Sequence, residues 1–281
     1  MLDRLHNKDT NTAPAADMKP GHRIAQTLRT ALRLAILVST AFEGCTHFVV
    51  LRLRGKVSTP ERAQWLHRCC ATALRRLGIA LQPEGEFPSR GLLVANHLSY
   101  LDVLVLSAIH PCVFVSKKEV RSWPLFGLMA KLSGTVFVDR ARTFAAHAAN
   151  AEMSNALEQG TVVVLFPEGT SSDGSQVLPF RPALFDAATK AGAYVVSAHM
   201  SYDVADGSAA SDVCYWGSMS FFPHLLRLLS RHEVRARVRF AAETRKFADR
   251  KLAARITRET VASLARRPAP HSTTAHALRR S

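Results

Sequence analysis

The chain has 281 residues, 47% hydrophobic and 7% aromatic, with a formal charge of +15 and a pI near 10.3. That is ample apolar material for one α/β domain with extensions, and too little chain for two full domains. The charge calls for an anionic partner, and since no Phe or Tyr interleaves the basic runs, an acidic membrane face is preferred to nucleic acid.

Residues 1–21 are polar and carry Pro and Ala, with no apolar run leading to a small-residue cleavage site. They read as a disordered tail, not a signal peptide. Residues 22–78 then predict two membrane-associated helices. His22, Gln26, Arg29, Arg33, Thr40, Glu43, His47 and Arg54 recur at steps of three, four or seven, one narrow stripe on which every charged residue between Ile24 and Leu51 lies. A broad apolar face with a thin charged stripe fits a helix lying in the membrane interface or re-entering it, with Leu37 and Phe48 on the lipid side. The competing reading is an amphipathic helix packed on the protein's own core. The second helix, Thr59–Leu77, has Thr59 as its cap, Pro60 at its first position and Gly78 as its stop. Its Arg62, Arg68, Arg75 and Arg76 read by default as a solvated charged face, with contact to lipid phosphates as the other reading.

Residues 79–247 alternate strand and helix patterns. Strands are expected at 79–81, 92–95, 112–116, 135–138, 161–166, 193–200 and 234–240, with helices at 99–109, 123–132, 144–159, 182–191 and 222–229. This order predicts an α/β sheet with parallel neighbours. The strand at 234–240 alternates apolar residues with Arg235, Arg237 and Arg239, predicting a basic outer face. A helix at 248–265 leads into a basic tail, making 248–281 a C-terminal extension. Cys45, Cys69, Cys70, Cys112 and Cys214 have no metal-ligand or redox spacing, and an odd number argues against a disulfide scaffold. Reduced thiols in a cytosol-facing protein are expected.

Two stretches carry chemistry. In Gly91–Asp102 a short apolar strand runs into Asn96-His97, and Ser99 three residues before Asp102 reads as a capping box opening a helix. His97 therefore sits in a strand-to-helix crevice, where α/β folds bind ligands. A turn can bring Asp102 onto its ring, fixing one tautomer and leaving the other nitrogen to accept a hydroxyl proton. The second stretch, Phe166-Pro167-Glu168-Gly169-Thr170-Ser171-Ser172, is a donor-rich loop at a strand end. It lacks the Gly-Lys-Ser/Thr ending of a phosphate loop, and the chain has no Gly-x-Ser-x-Gly elbow.

These blocks together resemble the lysophospholipid acyltransferases, the family of 1-acylglycerol-3-phosphate acyltransferases. Asn96, His97 and Asp102 match an Asn-His-x-x-x-x-Asp block, and Lys117 follows the next strand. Gly134, Phe137, Asp139 and Arg140 match Gly-x-x-Phe-x-Asp-Arg, and residues 166–170 match Phe-Pro-Glu-Gly-Thr. The resemblance implies a glycerolphosphate-acyltransferase-like α/β fold: a mixed, largely parallel sheet flanked by helices, with an N-terminal membrane-associated helical pair. It implies acyl transfer from acyl-CoA or acyl-carrier protein to the free hydroxyl of a lysolipid, at the cytoplasmic face of the inner membrane. His97 would be the base and Asp102 its orienting group. Asn96, Ser99, Lys117, Arg140, Glu168, Gly169 and Thr170 would serve the substrate, with no metal or other cofactor and no nucleic-acid partner. The expected acceptor is 1-acylglycerol-3-phosphate. However, Ser171 stands where the family commonly has Arg, and Val196 and Ser197 stand where a Pro is common. The 166–174 block, with Trp216–Ser220 downstream, looks more like the lyso-ornithine-lipid acyltransferase branch, whose acceptor carries no phosphate. A non-catalytic basic membrane- or nucleic-acid-binding protein is the alternative of another class, and it leaves the four blocks unexplained.

Overall fold

The computed structural model describes residues 20–123, 126–138 and 143–267, with backbone alone at Pro20, His22 and residues 143–149. Of the tail expected at 1–21, residues 1–19 lie outside the described residues and the last two are helical instead, while residues 268–281 and Arg140 also lie outside. The first helix, α1 (Pro20–Leu53), has 34 residues, about 50 Å of helix. It is followed by α2 (Thr59–Leu77), β1 (Ile79–Glu84), β2 (Leu92–Ala95), α3 (Leu101–Ile109), β3 (Cys112–Lys117), α4 (Phe126–Leu132) and β4 (Val136–Val138). The chain continues through α5 (Thr143–Glu158), β5 (Val162–Leu165), α6 (Asp186–Lys190), β6 (Val195–Val204), α7 (Ala209–Asp212), α8 (Phe221–Ser230), β7 (Val234–Arg245) and α9 (Arg250–Ala265).

The seven strands form one sheet in the order β1-β7-β6-β2-β5-β3-β4, and every neighbouring pair is parallel except β6 with β7. The expected mixed, largely parallel sheet is therefore present. Its central strands, Leu-Leu-Val-Ala in β2 and Val-Val-Val-Leu in β5, are buried throughout because both sheet faces are covered. Leu93 and Ala95 face a core built with α2, α3 and α8, while Leu92 and Val94 face one built with α5, α6 and α9. Gly91 admits β2 to this crowded centre. Its φ is +93°, and an added Cβ would lie 2.4 Å from the Tyr194 carbonyl oxygen.

Several elements differ from expectation. β1 runs to Glu84 because residues 79–84 pair with β7 along their whole length. β6 begins later and runs on to Val204 because β7 returns antiparallel beside it. A short helix, α7, stands at residues 209–212, where no helix is expected. The arginines of β7 do not form a free basic face. Arg239 is buried, ion-paired with Glu84 at 2.9 Å and bonded to the Leu264 carbonyl oxygen, and Arg237 pairs with Glu84 and Asp203.

The middle of the polar stripe of α1, from Gln26 to Thr40, faces the protein, and much of the apolar face points outward. Gln26 and Arg29 bond the hydroxyl and carbonyl of Ser230 at the end of α8, and Arg33 bonds the carbonyls of Leu229, Arg231 and His232. Arg76 of α2 holds Thr40 and Glu43, so it is engaged within the protein, as is Arg62, which donates to the Val57 and Leu132 carbonyls. Leu37 and Phe48, expected on the lipid side, are instead buried in the core. Phe48 packs edge-on against Trp65 with centroids 5.0 Å apart. The outward side carries Ile24, Leu28, Leu32, Val38, Phe42, Val49 and Leu53, all exposed. This division predicts a stability contrast. Leu37→Asp puts a charge into the core and should cost at least about 3 kcal/mol, whereas Phe42→Asp should stay within about 0.5 kcal/mol. Urea unfolding of both variants in detergent checks it.

Candidate active site

The C-terminal ends of β2, β3 and β5 converge on one crevice, and His97 sits in it. β2 ends at Ala95, and Asn96 holds that end in register: its side-chain amide donates to the Met200 carbonyl at 3.0 Å, while its carbonyl accepts from the Met200 amide at 2.7 Å. Asn96 is thus buried and committed to β6, not turned to a substrate as expected. Ser99 is also wholly buried, its hydroxyl accepting the Leu101 amide. Helix α3 consequently starts at Leu101, two residues later than expected.

Asp102 lies in the first turn of α3 and is fully buried. Its Oδ2 accepts from the Leu98 amide at 2.7 Å, the Ser99 amide at 3.0 Å and His97 Nδ1–H at 2.8 Å. Its Oδ1 accepts from the Tyr202 hydroxyl at 2.5 Å. Four donors stabilise this buried anion, so Asp102 both closes the start of the helix and grips the imidazole. The grip places the proton on Nδ1 and leaves Nε2 as an acceptor. Phe166 supports the ring from its flat side, stacked at 4.3 Å and 15°. Tyr202 was not legible from the motifs. Burial, and then the Asp102 charge, push its phenol well above the ordinary value, so it remains a donor.

Glu168 lies beneath the same turn. Its carboxylate accepts the Leu178 amide at 3.2 Å and faces the His97 amide at 3.4 Å. Burial pushes its pKa up to about 7, so it changes charge near neutrality. It shapes the crevice from inside. Gly169 and Thr170 line the cavity wall, and the neighbouring Ser171 donates its hydroxyl to the Tyr215 carbonyl, tying this loop to the turn at 214–217. The Trp216–Ser220 segment, whose purpose the sequence does not reveal, contributes Trp216 and Gly217 to the same wall.

The cavity that His97 faces measures about 360 Å³. Its outer part carries exposed Lys117, Thr170 and Trp216, while its inner part runs between helices and is lined by buried Leu37, Ala41, Leu66 and Cys70. Burial pushes the Cys69 thiol to about 11 and the Cys70 thiol to about 12, so neither lining thiol is a ready nucleophile. Among the described residues no group of three or more His, Cys, Asp or Glu side chains converges to hold a metal ion. The crevice therefore brings together His97, Asp102, Lys117, Glu168, Gly169 and Thr170, with Asn96 and Ser99 supporting it from behind.

A family model described as Acyltransferase matches residues 78–201. The chain is 40% identical over 191 residues to a lyso-ornithine lipid O-acyltransferase of Brucella abortus, covering 62% of this chain and 70% of that one. It is 36% identical to a Pseudomonas aeruginosa protein of the same name, covering 74% and 80%. It is 39% identical over 133 residues to a 1-acyl-sn-glycerol-3-phosphate acyltransferase of Neisseria gonorrhoeae, covering 46% and 52%. The crystal structure of the 1-acyl-sn-glycerophosphate acyltransferase PlsC from Thermotoga maritima superposes with a TM-score of 0.63 at 20% identity. It covers 89% of this chain and all of that one, a likeness of fold.

Proposed function

The chain belongs to the acyltransferase family that esterifies lysolipids at the membrane, and from that premise we propose a reaction in which His97 is the general base and Asp102 its partner. The observation that carries this is the 2.8 Å contact from Nδ1 to a fully buried, four-times-bonded carboxylate, with Nε2 left for the cavity. Nε2 takes the proton from a lysolipid hydroxyl as its oxygen bonds to the carbonyl carbon of an acyl thioester. The C–S bond then breaks and the leaving thiolate takes the proton back from His97. A thioester is already activated, so no covalent intermediate on the protein is required. The acyl chain fits the apolar inner part of the cavity, and the donor is acyl-CoA or acyl-carrier protein. The positive net charge and the free cysteines, three of them buried, support a seat on the cytoplasmic face of the inner membrane.

The acceptor has two readings. For 1-acylglycerol-3-phosphate, Lys117 at the outer cavity would hold the phosphate, with Arg140 as its partner in the family pattern. For lyso-ornithine lipid, the favouring observation is Ser171: it lines the cavity, offers no guanidinium fork, and its hydroxyl is spent on the Tyr215 carbonyl. Ser171→Arg should add a charge-assisted contact worth roughly 1.5–3 kcal/mol to a phosphate monoester. The preference for 1-acylglycerol-3-phosphate over lyso-ornithine lipid should then rise about ten- to a hundredfold. Competition between the two labelled lysolipids measures it. Ester product from neither lipid would contradict the reaction; an unchanged ratio with full activity would remove Ser171 as the discriminant.

A further inference from the structure

Helix α8 presents an apolar face that the reaction does not use. Phe222 is 57% exposed and Leu226 41%, one turn apart, with Arg227 exposed beside them. The opposite face of the same helix, Leu225, Leu228 and Leu229, is buried in the core. A helix with one face packed and the other bearing exposed Phe and Leu next to Arg has the makings of an interfacial contact.

Two observations join this face to its surroundings. Leu226 and Ser230 share a groove with Arg23, Gln26, Thr27, Thr30, Ala31 and Leu34, a mostly polar flank of α1, so α8 lies directly beside that helix. On the other side, Phe222 touches Phe221, which packs on Trp123, Tyr100 and Tyr215, and these three line the cavity. Trp216, 41% exposed, stands at that outer cavity wall. Phe222 and Leu226 therefore lie between α1 and the aromatic cluster that lines the cavity.

We infer that α8 is a second membrane-seating element, whose Phe222 and Leu226 enter the acyl boundary of an anionic bilayer and bring the cavity entrance to the lipid surface. A lysolipid then reaches His97 without leaving the interface. The occupant is a bilayer because the patch borders α1, the one described helix long and apolar enough to cross a membrane, and because the chain carries +15 net charge. This rests on the membrane-bound reading of the reaction.

The test uses the full chain and vesicles of phosphatidylcholine with phosphatidylglycerol. Phe222→Asp with Leu226→Asp should lower vesicle partitioning at least tenfold and slow turnover of vesicle-borne lysolipid. Turnover of a monomeric short-chain thioester and short-chain lysolipid should be unchanged, which also shows that the variant is folded. Phe222→Ser with Leu226→Gln, gentler to the helix, should give the same pattern at smaller size. Unchanged partitioning of both folded variants would overturn the inference. Equal loss of short-chain and vesicle turnover, with partitioning intact, would also overturn it by assigning these residues to the catalytic domain. Failure of the wild-type protein on every acceptor while it still binds vesicles would strike the reaction and leave the seat standing.

Discussion

Replacing His97 with Ala should lower acyl transfer by roughly 10²- to 10⁴-fold, the range that one positioned base contributes. The protein should stay folded, because the His97 side chain is a quarter exposed and Asp102 keeps three of its four donors, the Leu98 and Ser99 amides and the Tyr202 hydroxyl. Thermal unfolding of the variant alongside the rate assay separates the two effects. Near-normal turnover by a folded His97→Ala protein would end the role of His97 as base.

Asp102→Asn is the second large effect, expected at roughly a hundredfold or more. An amide oxygen in place of Oδ2 still accepts from Leu98, Ser99 and His97, and the new NH₂ faces a Tyr202 hydroxyl that can turn to accept it. The fold therefore survives, while the imidazolium formed in the reaction loses its buried counter-charge. A residue that only caps α3 behaves otherwise, since Asn caps about as well as Asp and the rate would barely move. Tyr202→Phe refines the point. It keeps the ring in the core but removes the donor on Oδ1, leaving more negative charge for His97. The maximal rate should fall by roughly fivefold or less, far less than with Asp102→Asn, as steady-state rates of the two variants show.

What was legible in the sequence was local. A four-residue apolar run bounded by Gly91 and Asn96 gave β2, and five-residue spacing gave the pairing of His97 with Asp102 across a turn. Partners far along the chain were not legible. Asn96 reads as part of a substrate block, yet its partner is Met200, 104 positions away. Arg239 reads as surface charge, yet it pairs across 155 positions with Glu84 and is buried between sheet and α9. Tyr202 belongs to the site only because β6 lies beside β2 and runs past its end. The wheel of α1 divided polar from apolar correctly, but periodicity does not say which side meets the protein. Carbonyls at the end of α8 drew the polar stripe inward, and Leu37 and Phe48, which flank that stripe, went with it.

We propose direct transfer, with His97 activating the hydroxyl and no acyl group resting on the protein. The most direct measurement mixes enzyme in excess with a labelled acyl thioester, first alone and then with lysolipid, and follows the label into protein, free acid and lipid ester. With direct transfer, the protein should carry no covalent label before the acceptor is added, and passage of the label to the lysolipid, seen in wild type, should be slowed at least a hundredfold in His97→Ala. Covalent label on the protein in the absence of acceptor, discharged when lysolipid arrives, would contradict it.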